Sequence, residues 1–284
     1  MNFFKKSLNF KSSLVFSSLA LSSMLISSFI EEVKSYPVTV AACASGQIPT
    51  STEGCLIDPI SYKLDIYRVY ICRSDPFPAS ANKANLDVCM ALFNDNNNPY
   101  TAELANNTVS LPNTGMEQIV PGTYTHAAVV FENVFKGKGK YTVGGNTYRT
   151  LASFTENGVN VTTTSGEPEV TVETLQNWRG PDGSSNNPYC KDGATVSRCE
   201  TDYNSYKVTG IITDSSFNAV SGGTSARLFY LAELSNPFSL NTSSSGSIEI
   251  TVDSNYEVGG NDGGTVVRNM NIAPFVFQPT FVGN

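Results

Sequence analysis

The sequence predicts an all-β fold, an antiparallel β-sandwich (one elongated or two small), stapled by disulfides behind a cleaved signal peptide. Three observations carry this expectation. Apolar and polar residues alternate with period two in short runs, as in Ile248-Glu249-Ile250-Thr251-Val252-Asp253, which puts one face in a core and the other in water. Clusters of Asn, Gly, Ser, Pro and Asp break these runs at short intervals. Six cysteines follow an export-type N terminus, the pattern of an oxidised framework rather than of a cytosolic metal site.

The leader comes first. Lys5, Lys6 and Lys11 form a positive head, Leu14 to Ile30 is uncharged, and Glu31 and Glu32 end it. This is the basic–apolar–polar order of a secretory signal peptide. The uncharged stretch has 17 residues, six of them serine, where a helical membrane span needs about 20 apolar residues. Two cleavage sites suggest themselves, one before Tyr36 and one before Cys43, where Val40-Ala41-Ala42 resembles a lipobox. Glu31, Glu32 and Lys34 separate that second site from the apolar core, so residues 1–35 are assigned to the leader. The expected location is extracellular or at the cell surface.

Residues 36–60 read as an extended N-terminal arm, with Val38, Val40 and Ala42 on one face. Such an arm can serve as the first strand of its own domain, hang as a loose tail, or add to a neighbour's open sheet edge. Of the fifteen ways to pair six cysteines, the spacing favours three local bridges: Cys43–Cys55, Cys72–Cys89 and Cys190–Cys199. Each closes a short loop and contributes about 3 kcal/mol in the chain-entropy model.

Residues 61–165 form a β-sandwich domain or half-domain, 166–205 a junction or long stapled loop, and 206–284 a second β half. Strands are predicted over 62–72, 123–134, 140–144, 147–152, 158–164, 169–175, 206–213, 226–234, 265–272 and 274–282, where β-branched and aromatic residues concentrate. Helix signals are poor: one or two turns within Ala79 to Phe93 and one within Glu173 to Trp178. Lys136-Gly137-Lys138-Gly139-Lys140 lacks the P-loop pattern and reads as a solvated hairpin tip.

The run Tyr62-Lys63-Leu64-Asp65-Ile66-Tyr67-Arg68-Val69, followed by Pro121-Gly122-Thr123-Tyr124-Thr125, resembles prealbumin-like β-sandwich modules of exported bacterial surface proteins. The ending, Pro274 to Phe281, is similar to terminal strands of secreted proteins of unknown role. The resemblance implies a fold type and no catalytic residues.

Setting aside Lys5, Lys6, Lys11, Lys34, Glu31 and Glu32 leaves 14 basic and 23 acidic residues, net −9. This disfavours a nucleic-acid partner, which needs clustered Lys and Arg. The one histidine, His126, sits in an alternating strand, and neither GxSxG nor HExxH occurs, so no catalytic residue is assigned and an enzyme is not expected. No cofactor is expected beyond calcium, whose candidate ligands are Asp253, Asn255, Glu257 and Asp262; Glu257 and Val258 break the EF-hand pattern there. Asn106, Asn160 and Asn241 lie in glycosylation sequons and mark expected surface loops.

The leading functional expectation is a secreted or cell-surface structural or adhesive protein, such as a pilus-like filament subunit assembling by strand addition. Its expected partners are further copies of itself or other surface proteins, and glycans. The alternatives are an extracellular carbohydrate-binding module, calcium-assisted or not, and a secreted hydrolase using paired carboxylates.

Overall fold

The computed structural model describes residues 7–10, 42–44, 46–50, 54–105, 111, 115, 117–155, 158–178, 190, 195, 197–203, 206–220, 226–242, 244, 246–253, 256–261, 263–272 and 276–283; for 7–10, 202–203, 206, 246–253 and 276–283 it describes the backbone alone. The protein is all-β, with antiparallel strand pairing throughout its sheets. In chain order the strands are β1 (Ser7–Phe10), β2 (Cys55–Ile57), β3 (Ser61–Cys72), β4 (Cys89–Asn94), β5 (Tyr100–Glu103), β6 (Gly122–Glu132), β7 (Phe135–Lys138), β8 (Lys140–Val143) and β9 (Asn146–Thr150). They continue with β10 (Val161–Thr162), β11 (Thr171–Glu173), β12 (Arg198–Tyr203), β13 (Tyr206–Thr213), β14 (Arg227–Leu240), β15 (Gly246–Asp253), β16 (Tyr256–Gly260), β17 (Val267–Ile272) and β18 (Val276–Gly283).

The central sheet is built on β3. One edge of β3 pairs with β4 and β5; the other pairs with β6 and, past a break, with β7. Beyond β6 lie β14, β13 and β12, and beyond β7 lies β11. This one sheet therefore draws strands from both 61–165 and 206–284, and from the stretch between them. Asn133, at the break between β6 and β7, holds the backbone of Leu175 with two side-chain hydrogen bonds of 2.7 and 3.0 Å.

Both faces of the sheet are covered. Tyr62, Leu64, Ile66, Val69 and Ile71 of β3 face the main core with Val129 and Phe131 of β6 and Leu228 and Tyr230 of β14. The change from even to odd numbering follows a bulge between Ile66 and Arg68, which shifts strand parity by one. Two small sheets close this core, β2–β16–β17 through Tyr256, Val258 and Met270, and β8–β9–β10 through Tyr141, Val143, Tyr148 and Val161. On the opposite face, Tyr70, Cys72, Ala128, Val130, Phe229 and Leu231 meet Phe77 and Phe217 from two loops. Phe229 takes Phe77 and Phe217 edge-on at ring-centroid distances of 5.7 and 6.2 Å, the favoured arrangement for aromatic pairs.

All three predicted disulfides are present, closing separations of 12, 17 and 9 residues. One expectation is met in reduced form and two are corrected. Residues 79–93 hold only a 3₁₀ turn, Leu86–Val88, before the chain enters β4, whose Met90, Ala91 and Phe93 are buried between β3 and the loops. A strand buried on both faces reads as a continuous apolar run with no period of two. The segment 173–178, by contrast, lacks a helical turn: Glu173 ends β11. Nor is Lys136 to Lys140 a hairpin tip. It runs through β7 into β8, Lys136 pairs with Asp65 at 2.7 Å, and the hairpin turn falls at Gly144-Gly145, both with positive φ. Gly137 is required where it is, because a Cβ there would lie 2.0 Å from the Tyr256 hydroxyl oxygen.

Beyond this frame, β15 pairs with β18, and β1 stands on the other edge of β15, Ser7–Phe10 against Ile248–Thr251.

Candidate functional site

The hairpin of β16 and β17 presents two unlike faces. Tyr256, Val258 and Met270 are fully buried, whereas Glu257, Gly259, Asn269 and Asn271 alternate with them on the outer face. Antiparallel register sets Glu257 opposite Asn271 and Gly259 opposite Asn269. The connecting turn is held by Asn261, whose Oδ1 accepts hydrogen bonds from the backbone N–H of Thr265 and Val266 at 2.8 and 3.1 Å. On the far edge of β16 lies β2, which the Cys43–Cys55 disulfide ties to residues 42–44.

These elements enclose a polar cleft of about 350 Å³, lined by Glu257, Arg268, Asn269, Asn271, Thr50 and glycines. The glycines leave room for the polar groups. A Cβ on Gly54 would lie 2.3 Å from Glu257 Oε1, and one on Gly259 would lie 2.2 Å from Asn269 Oδ1. At Gly260 a Cβ would strike the Pro49 carbonyl oxygen at 1.8 Å, so the 46–50 segment packs directly on the hairpin. That segment is fixed from below by Tyr141, whose hydroxyl donates to the Gln47 carbonyl at 2.6 Å.

The charges are opposed, with a half-buried Glu257 and an exposed Arg268. Asn271 Oδ1 is buried and accepts no hydrogen bond in the structure. A buried acceptor without a donor costs about 1–3 kcal/mol. Behind the hairpin, Glu173 accepts a 2.9 Å hydrogen bond from the Ile272 N–H, and burial pushes its carboxyl up to about 7.

Among the predicted calcium ligands, Glu257 lines this cleft. Asp253 does not accompany it on one strand: β15 ends at Asp253 and pairs with β18, while Glu257 belongs to β16 in another sheet. Asn255 and Asp262 lie outside the described residues. Among the described residues no group of three or more His, Cys, Asp or Glu is placed to hold a metal ion.

Of the predicted arm, Val38 and Val40 lie outside the described residues, and Ala42 makes a parallel bridge to Leu56 of its own chain. Next to it the Cys43 N–H donates to the Leu56 carbonyl at 2.9 Å. His126 lies within β6, its Nδ1 2.8 Å from the Thr125 hydroxyl, and burial lowers its pKa. Of the sequons, Asn106 is outside the described residues and Asn241 is exposed. Asn160 departs from expectation. It is 0% exposed and its side chain bonds both the N–H and the carbonyl of Met270, at 2.8 and 2.9 Å, so no glycan fits there.

Asp65 is the buried carboxylate of the central sheet. Burial would raise its pKa, but hydrogen bonds from Lys136 and Thr101 outweigh this and hold it below the usual carboxylate range. Those bonds fix it as part of the sheet.

Sequence reasoning found Glu257 but missed Thr50, Arg268, Asn269 and Asn271. The available signal was two asparagines flanking a methionine within a strand, since asparagine is depleted in strands unless a polar role keeps it there. No family model, curated protein or solved structure matches the chain.

Proposed function

We propose that this is an exported surface or extracellular adhesive protein that recognises carbohydrate through the cleft on β16 and β17. The observation that carries the reading is the cleft itself: a carboxylate, two amides, a hydroxyl and a guanidinium converge on glycine-lined space, with the Asn271 acceptor buried and unpartnered. Sugars present many hydroxyls that both donate and accept, and this set of side chains complements them. The three disulfides suit an oxidising environment. We assign no catalytic role. Self-assembly through residues 36–42 is the weaker reading, because Ala42 and Cys43 are already engaged with Leu56 and Cys55 of the same chain.

The test is a glycan array probed with the mature, oxidised protein, followed by calorimetry on the best hits with and without calcium. Saturable binding to a defined set of glycans is expected. Failure to bind any glycan at high protein concentration in both conditions would overturn the proposal.

A further inference from the structure

Resting on the carbohydrate reading, we infer that the cleft takes the terminal sugar of a chain, edge-on, with a vicinal hydroxyl pair against Glu257 and Asn271. Three features lead there. The first is size. A volume of about 350 Å³ stands at the small end of ligand sites, enough for one or two sugar rings. The cleft is also walled, by the 46–50 segment packed on Gly260 and by Gly158 of the 155–159 turn. A polymer running through would need an open groove.

The second is the absence of an aromatic platform. Among the described residues no aromatic side chain lines the cleft, and the single tryptophan of the sequence, Trp178, is only 5% exposed within the core. Recognition of a flat sugar face by stacking is therefore not what these residues offer. Hydrogen bonds to the ring's edge are.

The third is the register. Glu257 and Asn271 are directly opposite on neighbouring strands, which sets their Cβ atoms about 5 Å apart on one face. A carboxylate acceptor and an amide at that separation meet two hydroxyls on adjacent ring carbons. One hydroxyl donates to Glu257. Its neighbour accepts from the side-chain amide N–H of Asn271, whose Oδ1 is turned away from solvent. Arg268, exposed at the rim, faces whatever the sugar is attached to. The glycines are then ligand space as well as room for side chains.

The experiment uses the full mature protein on immobilised glycans before and after mild periodate oxidation, which cleaves vicinal diols. Glu257→Gln and Asn271→Ala are measured in parallel by calorimetry. Periodate treatment, Glu257→Gln and Asn271→Ala are each expected to weaken binding at least about tenfold, the loss of one hydrogen bond to a charged or buried group. Arg268→Ala should weaken it less and should change the ranking of glycans by linkage. Thermal unfolding of each variant checks the fold. Glu257→Gln is isosteric, and Asn271→Ala removes an acceptor that has no partner, so both should melt close to the parent.

The outcomes separate the two readings. Wild-type protein that binds no glycan overturns the carbohydrate reading and this inference together. Glycan binding that survives both variants places the sugar elsewhere and overturns this inference alone. Binding that survives periodate, or that tracks polymer length rather than the terminal residue, overturns it as well.

Discussion

Asn160 shows what one side chain does when it takes the place of a missing ladder bond. It satisfies both backbone groups of Met270 from within the core. Asn160→Ala leaves that N–H and carbonyl buried without partners, so a loss of about 2–4 kcal/mol is expected in urea unfolding. Peptide mapping of material from a glycosylating host should find residue 160 unmodified. Glu173 carries a pH dependence. Its folded value, raised to about 7 from 4.5, means the folded protein keeps a proton that the unfolded chain gives up across that interval. Stability from this group therefore falls as pH rises through that window and stays low above it. Glu173→Gln keeps an acceptor for the Ile272 N–H without the charge. It should raise stability at pH 8 by about 1–3 kcal/mol and flatten the melting-temperature profile between pH 5 and 8. A variant whose profile tracks the parent's would refute this assignment. Neither residue's role was legible in the sequence. Asn160 lies in a sequon, which signals exposure, and Glu173 lies inside the 169–175 run read as strand; burial is set by the packing of β17, more than 90 residues away.

At the scale of elements, what could be read depended on whether one face met water. β15 alternates, and its run from Ile248 to Asp253 was plain. The strand expected over 123–134 after the Pro121-Gly122 turn signal is β6, which begins one residue earlier, at Gly122. β4 has no wet face, so Met90-Ala91-Leu92-Phe93 carried no period and looked as much like helix as strand. β7 failed for another reason. Its glycines suggested a flexible tip, but Gly137 exists to let the Tyr256 ring lie across the sheet. Gly137→Ala should therefore cost about 2–3 kcal/mol through overpacking, although glycine is disfavoured in strands, and chemical denaturation would measure it. A neutral or stabilising effect would mean Tyr256 has room to move. The cleft was the least legible part. Its residues come from Thr50, Gly54, the β16 run and the β17 run, and only strand register brings them to one place.

For the molecule as a whole, the central strands come from far apart in the chain: Cys72 lies beside His126, which lies beside Glu233. Pairing of this kind pays loop-closure entropy before any contact repays it, so folding should be slow for a protein of this size. The sulfur bridges work on a different length scale. Each joins near neighbours, and none spans the distances that set the sheet order. Their chemistry can thus be completed while the backbone is still searching. Only Cys55–Cys72 closes a loop as short as the native bridges, and it strands Cys43 and Cys89 at 46 residues' separation. Air oxidation of the chain in denaturant should then yield the native linkage set as its largest product, read by mass spectrometry of peptide fragments. A predominance of scrambled isomers would show that the fold selects its linkages. If the native set does dominate, an oxidising environment need only supply electron acceptors, and shuffling catalysts have little to correct.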